Sequence, residues 1–240
     1  VTETDRANEC LIQEGVLSLF PEDDFVGEEG CADEDDGGAQ RPPDLSEERA
    51  TWIVDPIDGT TNFCHGFPVT CVSIAMAKGG EVLVGVVYNP LTGELYQACR
   101  GRGAFLNGRR MSASGCTRMD RSVIVTEYSY LRGESSMRAM LDTTRRVLAR
   151  ARAVRQTGCG AMDLCYLARG AVDAVYGGVE GVWKPWDWAA GVVIAEEAGA
   201  RVTDGAGDAF ELMGKTILAA ATPALASEVL EAVGPSLAAP

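Results

Sequence analysis

The stretch VTCVSIAMAKGGEVLVGVVYNPLTGELYQACRG, Val69 to Gly101, decides what kind of fold this chain adopts. Its apolar, β-branched segments are joined by Lys78-Gly79-Gly80 and by Asn89-Pro90-Leu91-Thr92-Gly93, both turn sequences. Strands joined by turns this short pair with their neighbours, so an antiparallel meander is predicted here.

Working outward, Glu3 to Phe20 carries Ala7, Cys10, Leu11, Val16, Leu17 and Phe20 at roughly helical spacing, which predicts an amphipathic helix. Asp24 to Gly27 reads as a short strand and Trp52 to Val54 as a buried one. Downstream, Ser122 to Tyr130 is strand-like, Glu134 to Arg152 helical with a basic outer face, and Gly160 to Ala168 helical. Ala171 to Tyr176 is a further strand, Trp188 to Ala198 a helix ended by Gly199, Thr216 to Ala221 a strand and Thr222 to Val233 a closing helix. Sheets flanked by helices without strict βαβ alternation indicate an α+β or mixed α/β layered architecture. No linker separates two stretches of folded composition, so residues 1 to 240 read as one unit.

Composition bounds the function. A chain of 240 residues, 46% hydrophobic and 23% charged, has the makings of a globular protein with a substantial core. Its 21 basic against 35 acidic residues give a net charge of −14, which disfavours nucleic acid and anionic membrane surfaces as partners. No apolar run reaches the ~18 residues that span a bilayer. The eight cysteines are scattered with no C-x-x-C pair and the one histidine, His65, has no ligand-spaced cysteine beside it. Reduced thiols and an intracellular setting, cytoplasmic or organellar, are therefore expected, with any metal held by oxygen.

The segment WIVDPIDGTTNF, Trp52 to Phe63, raises the chemical question. Asp55 and Asp58 are expected just beyond a buried strand, with Pro56 fixing φ and Gly59 permitting a tight turn. Such residues most often make an ordinary surface turn. Other carboxylates occupy equivalent places, however: Glu28 and Glu29 follow the strand ending at Gly27, and Asp187 begins a helix in WKPWDWAAG. If these ends converge, like charges raise one another's pKa values until a divalent cation relieves them. Oxygen ligands favour Mg²⁺, which completes its shell with water and phosphate oxygens. Thr60 or Thr61 as a helix cap would place free amides beside that cation as an anion site. Metal carboxylates beside phosphate-binding amides suggest phosphoryl chemistry.

Asp55-Pro56-Ile57-Asp58-Gly59-Thr60-Thr61-Asn62-Phe63, with His65 after it, resembles the signature of the inositol monophosphatase family of Mg²⁺-dependent, lithium-sensitive phosphatases. The resemblance continues in Gly27-Glu28-Glu29, in GRGAFLNG from Gly101 to Gly108, in Trp186-Asp187 with Ala189-Ala190-Gly191, and in Glu197-Ala198-Gly199. It implies a layered αβαβα sandwich of the inositol monophosphatase and fructose-1,6-bisphosphatase type, and a homodimer. It also implies a further N-terminal helix and a loop bearing a Lys ahead of the position of Val1, which this sequence does not include. The irregular acidic loop, Cys31 to Arg49, is longer than the family's usual connection.

The resemblance further implies a division of roles. Glu28, Asp55 and the Ile57 carbonyl would hold one Mg²⁺, and Asp55, Asp58 and Asp187 a second, with a third, weaker ion near Glu28. Thr60, helped by Glu28, would orient the attacking water, making Glu28, Asp55 and Thr60 the catalytic set. The Gly59 and Thr60 amides would hold phosphate, with Asp58 and Asp187 also facing the substrate. The sugar ring would meet Glu180 and the Gly158-Cys159-Gly160 turn, where the family's Ser or Thr is a thiol and a Gly takes the third position. The activity implied is hydrolysis of inositol monophosphate or a similar sugar phosphate. Alternatives are L-galactose 1-phosphate, histidinol phosphate, fructose bisphosphate or a 3′-phosphonucleotide as substrate, or a non-catalytic phosphosugar-binding protein on the same fold.

Blander roles are expected for several conspicuous residues. Glu29 reads as structural and His65 as a hydrogen-bonded structural group rather than a base. Trp183, Trp186 and Trp188 read as core packing around Asp187, and Cys159 as a small group lining the pocket.

Overall fold

The computed structural model describes residues 2–30, 48–128, 130–178 and 183–237. A first helix, α1 (Glu3–Leu19), leads through β1 (Asp24–Gly27) to β2 (Thr51–Asp58) and a short helix α2 (Thr60–His65). The meander follows as β3 (Cys71–Lys78), β4 (Glu81–Asn89), β5 (Glu94–Cys99), β6 (Gly103–Leu106) and β7 (Arg109–Arg110). The second half comprises β8 (Val123–Thr126), α3 (Glu134–Leu148), β9 (Ala153–Arg155), α4 (Gly160–Ala168) and β10 (Ala174–Gly177). It closes with α5 (Pro185–Glu197), β11 (Arg201–Thr203), β12 (Ile217–Ala220) and α6 (Pro223–Leu237).

The meander forms as its turns dictate. One seven-stranded sheet runs β1-β2-β3-β4-β5-β6-β7, antiparallel throughout except for the parallel β1/β2 pair. The other sheet has the order β11-β12-β10-β8-β9, with β8 parallel to both β9 and β10. Between them lie α4 and α5, whose Leu164, Trp188 and Val193 share one core with Ala75 and Val87 of the first sheet and Val175 and Ile217 of the second. The second sheet's other face, through Ile124, Tyr176 and Leu218, packs on α3 and α6. With α1 against the first sheet, the layers run αβαβα, the expected sandwich.

Small residues set the spacing of the middle layer. Strand β3 turns Cys71, Ser73, Ala75 and Ala77 inward, all buried. At Gly85 of β4 an added Cβ would stand 2.5 Å from the Ala190 carbonyl oxygen, and at Gly191 of α5 it would stand 2.6 Å from Leu164. Helix α5 thus lies as close to the sheet and to α4 as backbone allows, which fixes where its first turn falls.

Several expectations need correction. Strand β2 does not stop at Val54 but runs through Asp58, with an irregular register between Asp55 and Asp58. Pro56 and the bulge bend the strand rather than end it. Three-residue β9 and β11 have no legible pattern and were not foreseen. Helix α1 is present, but its buried residues are Asp5 and Glu9, while Leu11 and Leu19 are exposed. Helix α3 ends at Leu148, short of the expected Arg152, and its Arg146 donates to the Ala232 carbonyl (2.7 Å), while Arg150, beyond the helix, pairs with Glu231 (3.1 Å), both partners on α6. The expectation that all thiols are reduced fails at Cys10, which is disulfide-bonded, whereas the other six described cysteines are free. Sequence spacing does not reveal which sulfurs meet in space. No described helix is long and apolar enough to cross a membrane.

Candidate active site

Strand β2 positions the first carboxylates. Asp55 is buried with 1% exposure, and its Oδ1 accepts the Ile57 amide at 3.0 Å. Three residues on, Asp58 Oδ2 accepts the Ala161 amide at 2.6 Å, so this carboxylate caps the first turn of α4. The chain then turns at Gly59, whose φ of +82° favours glycine, and enters α2. Gly59 is the cap residue, and no side chain caps α2, contrary to the expected role of Thr60 or Thr61. Instead Thr60 Oγ1 donates to the Ile57 carbonyl at 3.2 Å.

Helix α5 delivers Asp187 in its first turn, where Oδ2 accepts the Lys184 amide at 2.6 Å. Pro185 starts the helix, its missing N–H being no loss there. Ligand oxygens of Asp55, Asp58 and Asp187 all come within 4.8 Å of one another. Glu28 continues from β1, its amide donating to the Val54 carbonyl at 3.1 Å, and its carboxyl hydrogen-bonds to Asp55. Elements far apart in sequence therefore converge on one acidic pocket.

Electrostatics follow from that convergence. Burial, then the Asp187 charge, pushes Glu28 up to about 7. Burial, then Asp58, pushes Asp187 up to about 7, and burial raises Asp58 to about 6 despite the Ala161 hydrogen bond. Asp55 is driven well above the carboxylate range by burial and by Asp58 and Glu28. Because each native pKa is raised, the folded protein holds protons that the unfolded chain has released. Stability from these groups is full below the ordinary values of 3.8 to 4.5 and is lost as pH rises through about 6 to 7. In chelator, the melting temperature is expected to fall across that window, and added Mg²⁺ to stabilise more above it than below. A melting temperature that rises with pH there, and does so equally in Asp55→Asn, would contradict the cluster.

The Gly158-Cys159-Gly160 turn is built from both sides. Glu127, just beyond β8, accepts the Thr157 and Gly158 amides at 2.6 and 2.9 Å. Asn62 Nδ2 donates to the Val69 and Thr157 carbonyls at 2.7 and 2.8 Å, tying α2 to the turn. Glu127 went unnoticed in the sequence, although a carboxylate directly after an apolar strand was the signal that found Glu28. Asp163, fully buried and hydrogen-bonded by Thr157 Oγ1 at 2.6 Å, gives no signal inside an apolar helix. Glu9 is one carboxylate among several in the polar α1 and so gives no signal either, yet it accepts the Glu29 amide at 2.8 Å, bracing the segment that carries Glu28.

Not every expected contact faces the pocket. Cys159 is buried, its thiol directed at Cys71 and at the Asp58 carbonyl rather than lining open space. Gly160 lies under the Trp183 ring. Glu180 falls outside the described residues. His65 Nδ1 contacts the Thr61 carbonyl at 2.9 Å, in keeping with a structural role. Trp188 is fully buried and donates to the Leu212 carbonyl at 3.0 Å, and Trp186 is buried too, so the tryptophans form core. Glu197 accepts the Gly101 and Gly103 amides at 2.8 and 2.7 Å, which joins two of the sequence motifs structurally.

An αβαβα sandwich with buried carboxylates gathered at a strand bulge and a helix start has the architecture of the metal-dependent phosphatases. The family model described as inositol monophosphatase family matches residues 1–237. Inositol monophosphatase 2 of Solanum lycopersicum is 41% identical over 223 residues, 91% of this chain and 80% of its own length. Inositol monophosphatase 2 of Homo sapiens is 39% identical over 97% of this chain and 78% of its own. Among solved structures, the extragenic suppressor protein suhB from Bartonella henselae superimposes with a TM-score of 0.84 at 34% identity, covering 97% of this chain and 84% of that one. The chain belongs to the inositol monophosphatase family.

Proposed function

We propose that this protein is a Mg²⁺-dependent phosphomonoesterase that hydrolyses inositol monophosphate, or a sugar phosphate of like shape, to the alcohol and inorganic phosphate. The observation that carries this reading is the convergence of Asp55, Asp58 and Asp187, with Glu28 beside them, at the Gly59-Thr60 turn. The donor set fits Mg²⁺: all oxygen, crowded, buried and destabilised without a counter-charge. Glu28, Asp55, Asp58, Asp187 and the Ile57 carbonyl would hold two ions, with a third near Glu28. Bound Mg²⁺ supplies charge stabilisation at the phosphoryl and leaving oxygens.

The chain's own groups do the positioning. Thr60 commits its proton to the Ile57 carbonyl, leaving its lone pairs to accept a water O–H, and Glu28 would draw on the same water. The Gly59 and Thr60 amides, at the start of α2, would hold phosphate oxygens. Gly158, fixed by Glu127 and Asn62, would bound the space for the alcohol, with Glu180 as the ring-binding acid. The assembly we expect is a homodimer, which light-scattering mass reads directly.

The test is inorganic phosphate release from inositol 1-phosphate, beside galactose 1-phosphate, over a Mg²⁺ series with and without Li⁺. Mg²⁺-dependent release suppressed by Li⁺ is expected, faster on the inositol ester. No release from either ester at any Mg²⁺ concentration would overturn the reading.

A further inference from the structure

Behind the carboxylate cluster lie two thiols that the phosphatase reading does not use. Cys71 opens β3 and Cys159 precedes α4, 88 residues later, yet their sulfurs are 3.6 Å apart and both are buried. Their hydrogen bonds are weak ones: the thiols contact each other, and Cys159 Sγ reaches the Asp58 carbonyl at 3.5 Å. A ligand oxygen of Asp58 and both sulfurs lie within 4.8 Å of one another. Asp58 is held in place meanwhile by the Ala161 amide at 2.6 Å and by Thr70 Oγ1, which donates to its carbonyl at 2.9 Å.

We propose that Cys71, Cys159 and Asp58 form a binding site for a thiophilic divalent cation, Zn²⁺ or Cd²⁺, whose occupation withdraws Asp58 from the Mg²⁺ cluster and so inhibits the enzyme. The geometry supports coordination over the alternative chemistry of a thiol pair. Zinc–sulfur bonds of about 2.3 Å in a tetrahedron place two sulfurs about 3.8 Å apart, close to the 3.6 Å observed. A disulfide would need the sulfurs to close to about 2.05 Å and an oxidant to take two electrons. Binding the cation displaces one proton from each thiol to solvent and changes no oxidation state.

Two thiolates and one carboxylate are a soft, anionic set, which prefers Zn²⁺ or Cd²⁺ to Mg²⁺. The neighbouring set of Asp55, Asp58 and Asp187 is all oxygen and has the opposite preference. Since Asp58 belongs to both, the two cations compete through it. The inhibitory consequence rests on the phosphatase reading; the site itself does not.

The experiment is a Cd²⁺ titration in excess Mg²⁺, following the ultraviolet sulfur-to-cadmium charge-transfer band, on protein whose exposed Cys64 and Cys99 have been changed to Ser. Expected is a band saturating at one Cd²⁺ per chain, with Cys71→Ala weakening Cd²⁺ binding by about tenfold or more. Cys71 lies outside the proposed catalytic set, so Cys71→Ala should keep Mg²⁺-supported phosphate release while losing its inhibition by Zn²⁺. Cys71→Ser serves the same purpose should the alanine variant not fold. A band unchanged by both substitutions would overturn the site. Equal Zn²⁺ inhibition of wild type and variant would overturn the competition through Asp58. The band is read without any substrate, so it decides even if no phosphate ester is turned over.

Discussion

Asp55→Asn is expected to reduce phosphate release by roughly 10³-fold or more, equivalent to losing about 4 kcal/mol of transition-state stabilisation. The change is nearly isosteric, and Asn Oδ1 can still accept the Ile57 amide, so the bulge in β2 should survive. It removes a carboxyl whose ionisation is opposed by burial and by Asp58, Glu28 and Asp187. The metal-free variant should therefore melt no lower than wild type at neutral pH, and it should gain less from Mg²⁺. Paired measurements of turnover and thermal melting separate loss of the cation site from loss of the fold. Normal turnover by this variant would mean that the carboxylates at the end of β2 are not the ligands.

Gly59→Ala should act through both geometry and chemistry. Gly59 has a φ of +82°, where a side chain costs on the order of 1–3 kcal/mol. The added Cβ would also meet the Val69 carbonyl at 2.9 Å and the Gly158 carbonyl at 3.1 Å, backbone atoms that cannot rotate aside. Overpacking of this kind adds roughly 1–3 kcal/mol. Relief requires α2 to move away from the 158–160 turn, which carries the Gly59 and Thr60 amides off their proposed phosphate position. A loss of roughly 10²-fold in kcat/KM with a drop of several degrees in melting temperature is expected. Wild-type kinetics with only the stability loss would place phosphate elsewhere.

What could be read from the sequence depended on how local its cause was. Helix α4 was legible to the residue because Gly158 and Gly170 bracket an apolar run, and the meander was legible because its turns are chemically explicit. The overrun of β2 was not, because Asp55 and Asp58 look like strand breakers until α4 and α5 enclose them. Helix α1 buries Asp5 and Glu9 while Cys10, Val16 and Leu17 of its expected face are only half-buried, and the partner that Glu9 meets, the Glu29 amide, lies twenty residues away, beyond any local periodicity. The Cys71 and Cys159 pair lies beyond any reading by spacing, since only the packing of β3 against the start of α4 brings the sulfurs together. Glu28, Asp55, Asp58 and Asp187 were nameable beforehand because charge at the end of an apolar element is costly enough to demand an explanation.

The seating of α5 at Gly85 and Gly191 has a dynamic consequence. Asp55 and Asp58 belong to the first sheet, while Asp187 belongs to a helix lodged between the sheets, so a cation shared by them would clasp the helix to the sheet. In the metal-free chain, the crowding of Asp55, Asp58 and Asp187 opposes the seating of the first turn of α5 and would favour its local opening. With Mg²⁺ bound, that opening would have to release the ion first. Amide hydrogen exchange in the first turn of α5 and the last residues of β2 should then slow together on adding Mg²⁺, while α6, remote from the clasp, keeps its own rate.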